Sequence, residues 1–245
     1  MPFTLAHPAA IVCLKNKRFN FTALVLGSMA PDFLYFINFR PYGHLGHEFL
    51  GFLILNLPIC FLLAYVFHNV VKAPLISHMP RPLDSWYGYL RTEKFTLTSF
   101  KDVLVFSYSA LLGMLTHIVW DAFTHKTGFF VNHIGFLQKK MITIGGYDVY
   151  GYKLVQHIST LIGLIIVLIA LYLLKDKRKR ILWGHRSFKE KFIYDISIII
   201  ISIVVLVLSY LVFSFCGITY GIGALVISII NSVFIGSIIL GFIYR

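Results

Sequence analysis

Charge is what this chain has least of. Only 13% of its 245 residues are Asp, Glu, Lys or Arg, and ten of them are acidic. A soluble globular domain carries about 25% charged residues. With 58% hydrophobic residues and a mean hydropathy of +0.80, the composition excludes an ordinary soluble fold and describes an integral membrane protein. Cysteine is scarce too. Cys13, Cys60 and Cys216 lie far apart in apolar stretches and form no CxxC, which excludes a disulfide framework and leaves them as small core residues. A Gly-rich phosphate loop, a GxSxG elbow and an HExxH pair are all missing. Their absence argues against P-loop nucleotide hydrolysis, a serine hydrolase and a zincin protease. No basic region precedes the short apolar run at the N-terminus, so a cleavable signal peptide is not expected and His7 is expected to stay in the mature protein. No internal repeat or low-complexity tract stands out.

The charge that is present is basic, 22 Lys and Arg for a formal +12. These residues gather between apolar runs, the pattern of cytoplasmic anchoring at a bilayer. No basic patch interleaved with aromatics occurs, so no nucleic-acid partner is expected. A spanning helix needs about 20 apolar residues. Residues 49–67, 102–123, 154–174, 192–215 and 218–244 meet or approach that length. Pro58 is expected to kink the first of these. Residues 68–101 read as a loop with a short interfacial helix, and 124–153 as a loop turning at Gly145-Gly146. Two shorter apolar pieces, from Pro8 to Leu14 and from Phe21 to Phe39, flank the polar turn Lys15-Asn16-Lys17-Arg18. Arms of similar length run from that turn to His7 and to Asp32, so a helical hairpin would bring those two residues to one level. The expected fold class is all-α, a polytopic membrane bundle of about five spanning helices plus a short N-terminal helical hairpin. Its expected divisions are a helical domain over 1–174, a basic cytoplasmic loop over 175–191 and a two-helix anchor over 192–245. The loop holds Lys175, Lys177, Arg178, Lys179, Arg180, Arg186, Lys189 and Lys191. With this loop and 68–101 on the cytoplasmic side, the polar ends at His47, His117 to His125 and His157 fall on the opposite side.

The most informative stretch is Thr116-His117-Ile118-Val119-Trp120-Asp121-Ala122-Phe123-Thr124-His125. His117, Asp121 and His125 recur every four residues, about 40° apart around an α-helix, and so share one face. Ionisable groups inside an apolar segment are costly and are by default a site hypothesis. Imidazole and carboxylate at this spacing suit a divalent transition metal such as zinc. The alternative is a polar stripe satisfied by hydrogen bonds to other helices. Asp32 in its apolar surround is either a helix cap after Pro31 or a carboxylate awaiting a cation. His7 is either a ligand or an interfacial histidine. His47, directly before the Glu48-Phe49 helix start, is better placed than His44. His157 opens a helix and is a candidate donor to a ligand. His68, His78, His133 and His185 fall in expected loops and are assigned no role. Taken together, His7, Asp32, His47, His117, Asp121 and His125 form the mix of nitrogen and oxygen that holds one zinc or a pair.

Four stretches also carry a family resemblance: Met1-Pro2-Phe3-Thr4-Leu5-Ala6-His7-Pro8-Ala9-Ala10, Gly27-Ser28-Met29-Ala30-Pro31-Asp32-Phe33, the Thr116–His125 motif, and Tyr152-Lys153-Leu154-Val155-Gln156-His157. They resemble the bacterial membrane-protein family known as domain of unknown function 4184, over roughly residues 1–170. More distantly, the order His, Asp, His, then His-x3-Asp, then His is similar to that of the zinc-dependent phospholipase C and single-strand nuclease group. It is similar also to that of the LexA-regulated membrane-bound metal-dependent hydrolases. Carried over by position, this implies His7, Asp32, His47, His117, Asp121 and His125 as ligands. The soluble group adds a later His-x3-Glu and a tryptophan beside a ligating N-terminal amine, neither of which this chain has, so one or two ions are implied rather than three. The expectation is a metal-dependent hydrolase of the bacterial cytoplasmic membrane. Its site would lie on the non-cytoplasmic side and act on a phosphoester or lipid-like substrate, with Asp32 or Asp121 bridging metals or serving as base. The competing expectation is a non-enzymatic membrane protein, a transporter or a structural one, with a polar or metal-binding helix cluster.

Overall fold

The computed structural model describes residues 3–176 and 186–244. Lys177, Arg178, Lys179 and Arg180 of the basic loop, and His185, lie outside the described residues, as do the first two residues of the N-terminal motif. The chain is built almost wholly of helices. In order they are α1 (Thr4–Leu14, a 3-10 helix), α2 (Phe21–Ile37, with a 3-10 turn at Ala30–Asp32), α3 (Phe49–His78), α4 (Leu83–Tyr87), α5 (Phe100–Thr124), α6 (Phe129–His133), α7 (Gly135–Gln138), α8 (Gly151–Leu173), α9 (Phe188–Phe215) and α10 (Ile222–Ile243). Five of the described helical stretches are long and apolar enough to cross a membrane, those of α3, α5, α8, α9 and α10. Long exposed aliphatic side chains such as Leu161, Leu168, Leu173, Leu208 and Leu211 suit contact with lipid tails, and the protein is an integral membrane protein.

Three boundaries differ from the sequence expectation for physical reasons. Helix α3 does not end at residue 67 but runs to His78, across both Pro58 and Pro74. Proline removes one helical hydrogen bond and crowds the preceding turn. Here a π turn precedes each proline, Phe52–Asn56 before Pro58 and Phe67–Val71 before Pro74, and the wider turn lets the helix continue. Helix α9 starts at Phe188 under a capping box, in which the Ser187 hydroxyl accepts from the Glu190 N–H and the Glu190 carboxylate accepts from the Ser187 N–H. Lys189 and Lys191 therefore stand on a helix and not in the basic loop. The 124–153 segment is not only loop. It holds α6, α7 and an antiparallel hairpin of β1 (Lys140–Ile144) and β2 (Tyr147–Tyr150), turned by Gly145 and Gly146 at φ of +57° and +83°. That left-handed pair is the geometry a two-residue hairpin turn requires.

Internal contacts divide the chain into two units that interleave in sequence, which differs from the linear division at residue 174. One comprises Met1–Asp32, Leu45–Phe61 and Leu97–Leu173, the other Phe33–His44, Leu62–Thr96 and Leu174–Arg245. In the first, α2 crosses α5 where both carry glycine. A Cβ on Gly27 would overlap the Ala110 carbonyl, and one on Gly113 would overlap the Leu24 carbonyl and the Ser28 amide. Small residues at such crossings let backbones approach closely. Helix α8 supports α1: the Phe3 N–H donates to Thr160 Oγ1 at 3.4 Å, and Gly163 lies against Ala6 and Trp120. In the second unit, Asn231 Nδ2 on α10 donates to the Phe36 carbonyl at 2.7 Å. The buried Lys191 ammonium pairs with Asp84 and donates to the Met79 carbonyl.

Candidate metal centre

All six sequence-singled ligands belong to the first unit, and each is placed by local structure. On α5 the four-residue spacing puts His117, Asp121 and His125 on one face. The two acid–imidazole steps along it are 3.3 Å from Asp121 Oδ2 to His117 Nε2 and 3.5 Å from Asp121 Oδ1 to His125 Nδ1. The glycine crossing brings the Ser28 carbonyl to His117 Nδ1 at 2.8 Å. A carbonyl only accepts, so Nδ1 carries the proton and Nε2 keeps its lone pair toward the acids. The N-terminal hairpin sets His7 and Asp32 at the same level. Thr4, three residues before His7, donates its hydroxyl to Asp32 Oδ2 at 2.6 Å. The His7 ring stacks on that of His117 with centroids 3.8 Å apart, and Trp120 lies beside it at 5.3 Å. His47 comes from the 3-10 turn Leu45–His47. That turn abuts Ala30–Asp32 because Gly46 has no Cβ to strike the Pro31 carbonyl, and the buried Asn56 Nδ2 holds the Gly46 carbonyl at 2.7 Å.

The result is a cluster with two carboxylates at its centre. His47 Nε2 lies 3.6 Å from Asp32 Oδ1 and 3.7 Å from Asp121 Oδ2. His117 Nε2 is 3.7 Å from Asp32 Oδ1, and His7 Nε2 is 3.8 Å from Asp121 Oδ1. Two overlapping triads, His7–His117–Asp121 and Asp32–His47–His117, each have donor atoms within 4.8 Å of one another. The interior is closed: His7, Asp32 and His117 expose 1% of their surface or less. It opens where the His47 and His125 side chains keep 23% and 30% of theirs. Burial first, then the neighbouring His117 imidazole, holds His7 neutral far below the usual histidine range, down to about 3. Burial raises Asp32 above the usual carboxylate range, against the pull of His117 and the Thr4 hydroxyl.

Whether such a cluster suits a metal ion is decided by its unsatisfied atoms. His7 Nδ1 and Nε2, Asp32 Oδ1, His117 Nε2 and Asp121 Oδ1 are buried with no hydrogen-bond partner among the described residues. Buried polar atoms without partners are rare and each is costly, yet five gather here. The acid–imidazole separations of 3.3–3.8 Å exceed ordinary hydrogen-bond lengths. They approach the ligand–ligand edge, roughly 3.3–3.5 Å, of a tetrahedral shell built on zinc bonds of about 2.0–2.1 Å. The residues fit a divalent ion. The two triads share His117, and its one available lone pair serves one ion at a time. They therefore describe one centre, or two neighbours of which only one uses His117.

His157 does not join the cluster. Its side chain is exposed, and the residue that α8 turns inward is its neighbour Gln156. Sequence reasoning also passed over Thr4 and Ser28. Thr4 stands one 3-10 turn before His7, a spacing that marks it; the Ser28 contact is through backbone and leaves no side-chain signature.

A family model described as Domain of unknown function (DUF4184) matches residues 1–242. The match takes in α9 and α10 as well as the stretch up to residue 170 on which the sequence resemblance rests. No curated protein and no solved structure matches the chain.

Proposed function

The chain belongs to this family of unknown function, and from the geometry of its cluster we propose that it is an integral-membrane, metal-dependent hydrolase acting on a phosphoester of lipid-like character. The observation that carries the reading is the convergence of five partnerless buried atoms from three separate segments. When bound, a divalent ion such as zinc, one or two per chain, supplies Lewis acidity and acidifies a coordinated water. The chain's own residues do the rest. The Ser28 carbonyl fixes the His117 tautomer and aims Nε2 inward, and the Thr4 hydroxyl turns Asp32 Oδ1 toward His47 and His117. Such orienting partners raise ligand basicity and lock ring geometry. Asp32 is wholly buried and tied to Thr4, which suits a ligand that stays put. Asp121 reaches the open side and keeps one partnerless oxygen, which suits a general base that takes the proton of attacking water. His47 and His125, both part-exposed, flank the approach.

Sidedness follows from charge. The basic residues Arg81, Arg91 and Lys94 between α3 and α5, and Lys175 to Arg186 between α8 and α9, mark the connections that the positive-inside rule puts in the cytoplasm. The cluster then faces the non-cytoplasmic side of a bacterial cytoplasmic membrane.

The test is the metal content of purified wild-type protein against His117→Ala and Asp121→Ala, measured by mass spectrometry of the elements. It is paired with turnover of a generic phosphodiester before and after chelation. Metal in the wild type alone, with chelator-sensitive turnover, is expected. Negligible metal in all three proteins overturns the reading. Metal without turnover leaves the non-enzymatic alternative, a passive metal site in a transporter or structural protein.

A further inference from the structure

Helix α8 carries a polar side chain that the metal-centre argument leaves unused. Gln156 is 2% exposed, and its Nε2 is buried with no partner among the described residues. Its oxygen has one: the Lys153 ammonium donates to Gln156 Oε1 at 3.0 Å. An ammonium has donors only, so the amide atom facing it is the oxygen and the NH2 turns the other way. That direction is set by the helix. Residues 156, 159, 160 and 163 share one face of α8. On that face Ser159 Oγ accepts from Trp120 Nε1 at 3.1 Å, Thr160 meets the Phe3 amide, and Gly163 lies against Ala6 and Trp120. This is the face that covers α1 and the Trp120 side of α5. Gln156 stands on it one turn toward the 124–150 segment, the end of α5 that carries His125, whose side chain is 30% exposed.

With a divalent ion held there the cluster would attract an anion, but its carboxylates are acceptors only and its imidazoles would be taken up as ligands. A phosphate oxygen that does not sit on the ion then needs a donor from outside the ligand set. We propose that Gln156, its amide fixed by Lys153, is that donor, and that the site takes an anionic phosphate-bearing ester rather than a neutral one. The inference rests on the hydrolase reading above and deepens it by naming the residue that selects the anion. Gln156 is a positioning and specificity residue: it holds a non-reacting phosphate oxygen, and Lys153 acts through it and through its own charge.

The isosteric variant Gln156→Glu isolates the effect. A carboxylate keeps the acceptor for Lys153 and the packing, so a merely structural role survives, but the inward donor becomes an acceptor-only group. The full chain in detergent is loaded with zinc, and inorganic phosphate is titrated against it by calorimetry. Equal metal content in wild type and variant is expected, with phosphate affinity reduced about tenfold or more in Gln156→Glu. Lys153→Met, at a half-buried position that tolerates an apolar side chain, should lower it by a smaller factor. Competition by a short-chain phosphatidic acid identifies the source of the phosphate. Competition tighter than inorganic phosphate assigns a lipid headgroup and weaker competition a soluble ester, and either outcome supports the donor. Unchanged phosphate affinity in both variants with metal retained overturns this proposal and leaves the hydrolase reading standing. A wild-type protein that takes up no metal removes both, so the two failures are told apart.

Discussion

Both units of this protein bury ionisable groups among apolar helices, and they satisfy them differently. In the second unit the groups close on each other. Lys191 meets Asp84 and the Met79 carbonyl, and Lys72 meets the Glu93 carbonyl and His68. His78 donates from Nδ1 to the Pro74 carbonyl at 2.7 Å and stacks on Tyr194; its other nitrogen has no hydrogen-bond partner, but the ring neighbours are aromatic. In the first unit the acids and imidazoles stand at 3.3–3.8 Å, longer than the usual hydrogen-bond length. The first arrangement is that of groups whose charges find partners in one another, the second that of groups whose facing atoms could hold a metal ion. Burial of charge does not by itself mark a function; the way its demand is met does.

The sharpest way to break this contrast is to remove a ligand. His117→Ala or Asp121→Ala should lower zinc affinity by more than about 100-fold, beyond the range for residues that only orient a ligand, while Asp84→Ala leaves zinc content intact. Asp84→Ala acts on stability instead. It strands the Lys191 ammonium, whose side chain is 11% exposed, and should cost about 3–5 kcal/mol in thermal or denaturant unfolding, whereas Asp84→Leu with Lys191→Met should recover most of that loss. Chelation tests metal binding directly. Free zinc at 100 times its Kd stabilises by about 2.7 kcal/mol, so EDTA should lower the wild-type melting temperature and leave that of His117→Ala unmoved. A milder effect is expected from Thr4→Val, which frees Asp32 Oδ2 and should weaken zinc about 10–100-fold without abolishing it. His157→Ala, at an exposed position, should change neither zinc content nor stability measurably, and a large loss of zinc there would contradict the placement of Gln156 as the inward residue.

Much of the cluster was legible because its spacing is periodic. His117, Asp121 and His125 mark one helix face without any structure, and the equal arms around Lys15–Arg18 were enough to level His7 with Asp32. Five spans were legible from length and hydropathy alone. What escaped lies where geometry leaves no composition behind. A π turn at Phe67–Val71 carries α3 past Pro74, so a reading that took the mixed, proline-bearing stretch 68–101 for a loop ended the helix too early. The 140–150 strands lie beside the one sign they do show, the Gly145-Gly146 turn. Gln156 was passed over for the more reactive-looking His157, although Gln156, Ser159, Thr160 and Gly163 already trace a small and polar stripe at helical spacing. The orienting carbonyl of Ser28 has no side-chain signature at all.

The crossing at Gly27 and Gly113 has a bearing on how such a cluster can lose its geometry. Nothing larger than hydrogen fits at either position, and the His117 ring takes its orientation from a carbonyl one residue beyond Gly27. A single methyl group there would wedge the two helices apart and swing the imidazole off axis while every histidine and aspartate of the cluster remained in the sequence. A chain of this kind can thus keep each of those residues and still lack the arrangement they make together.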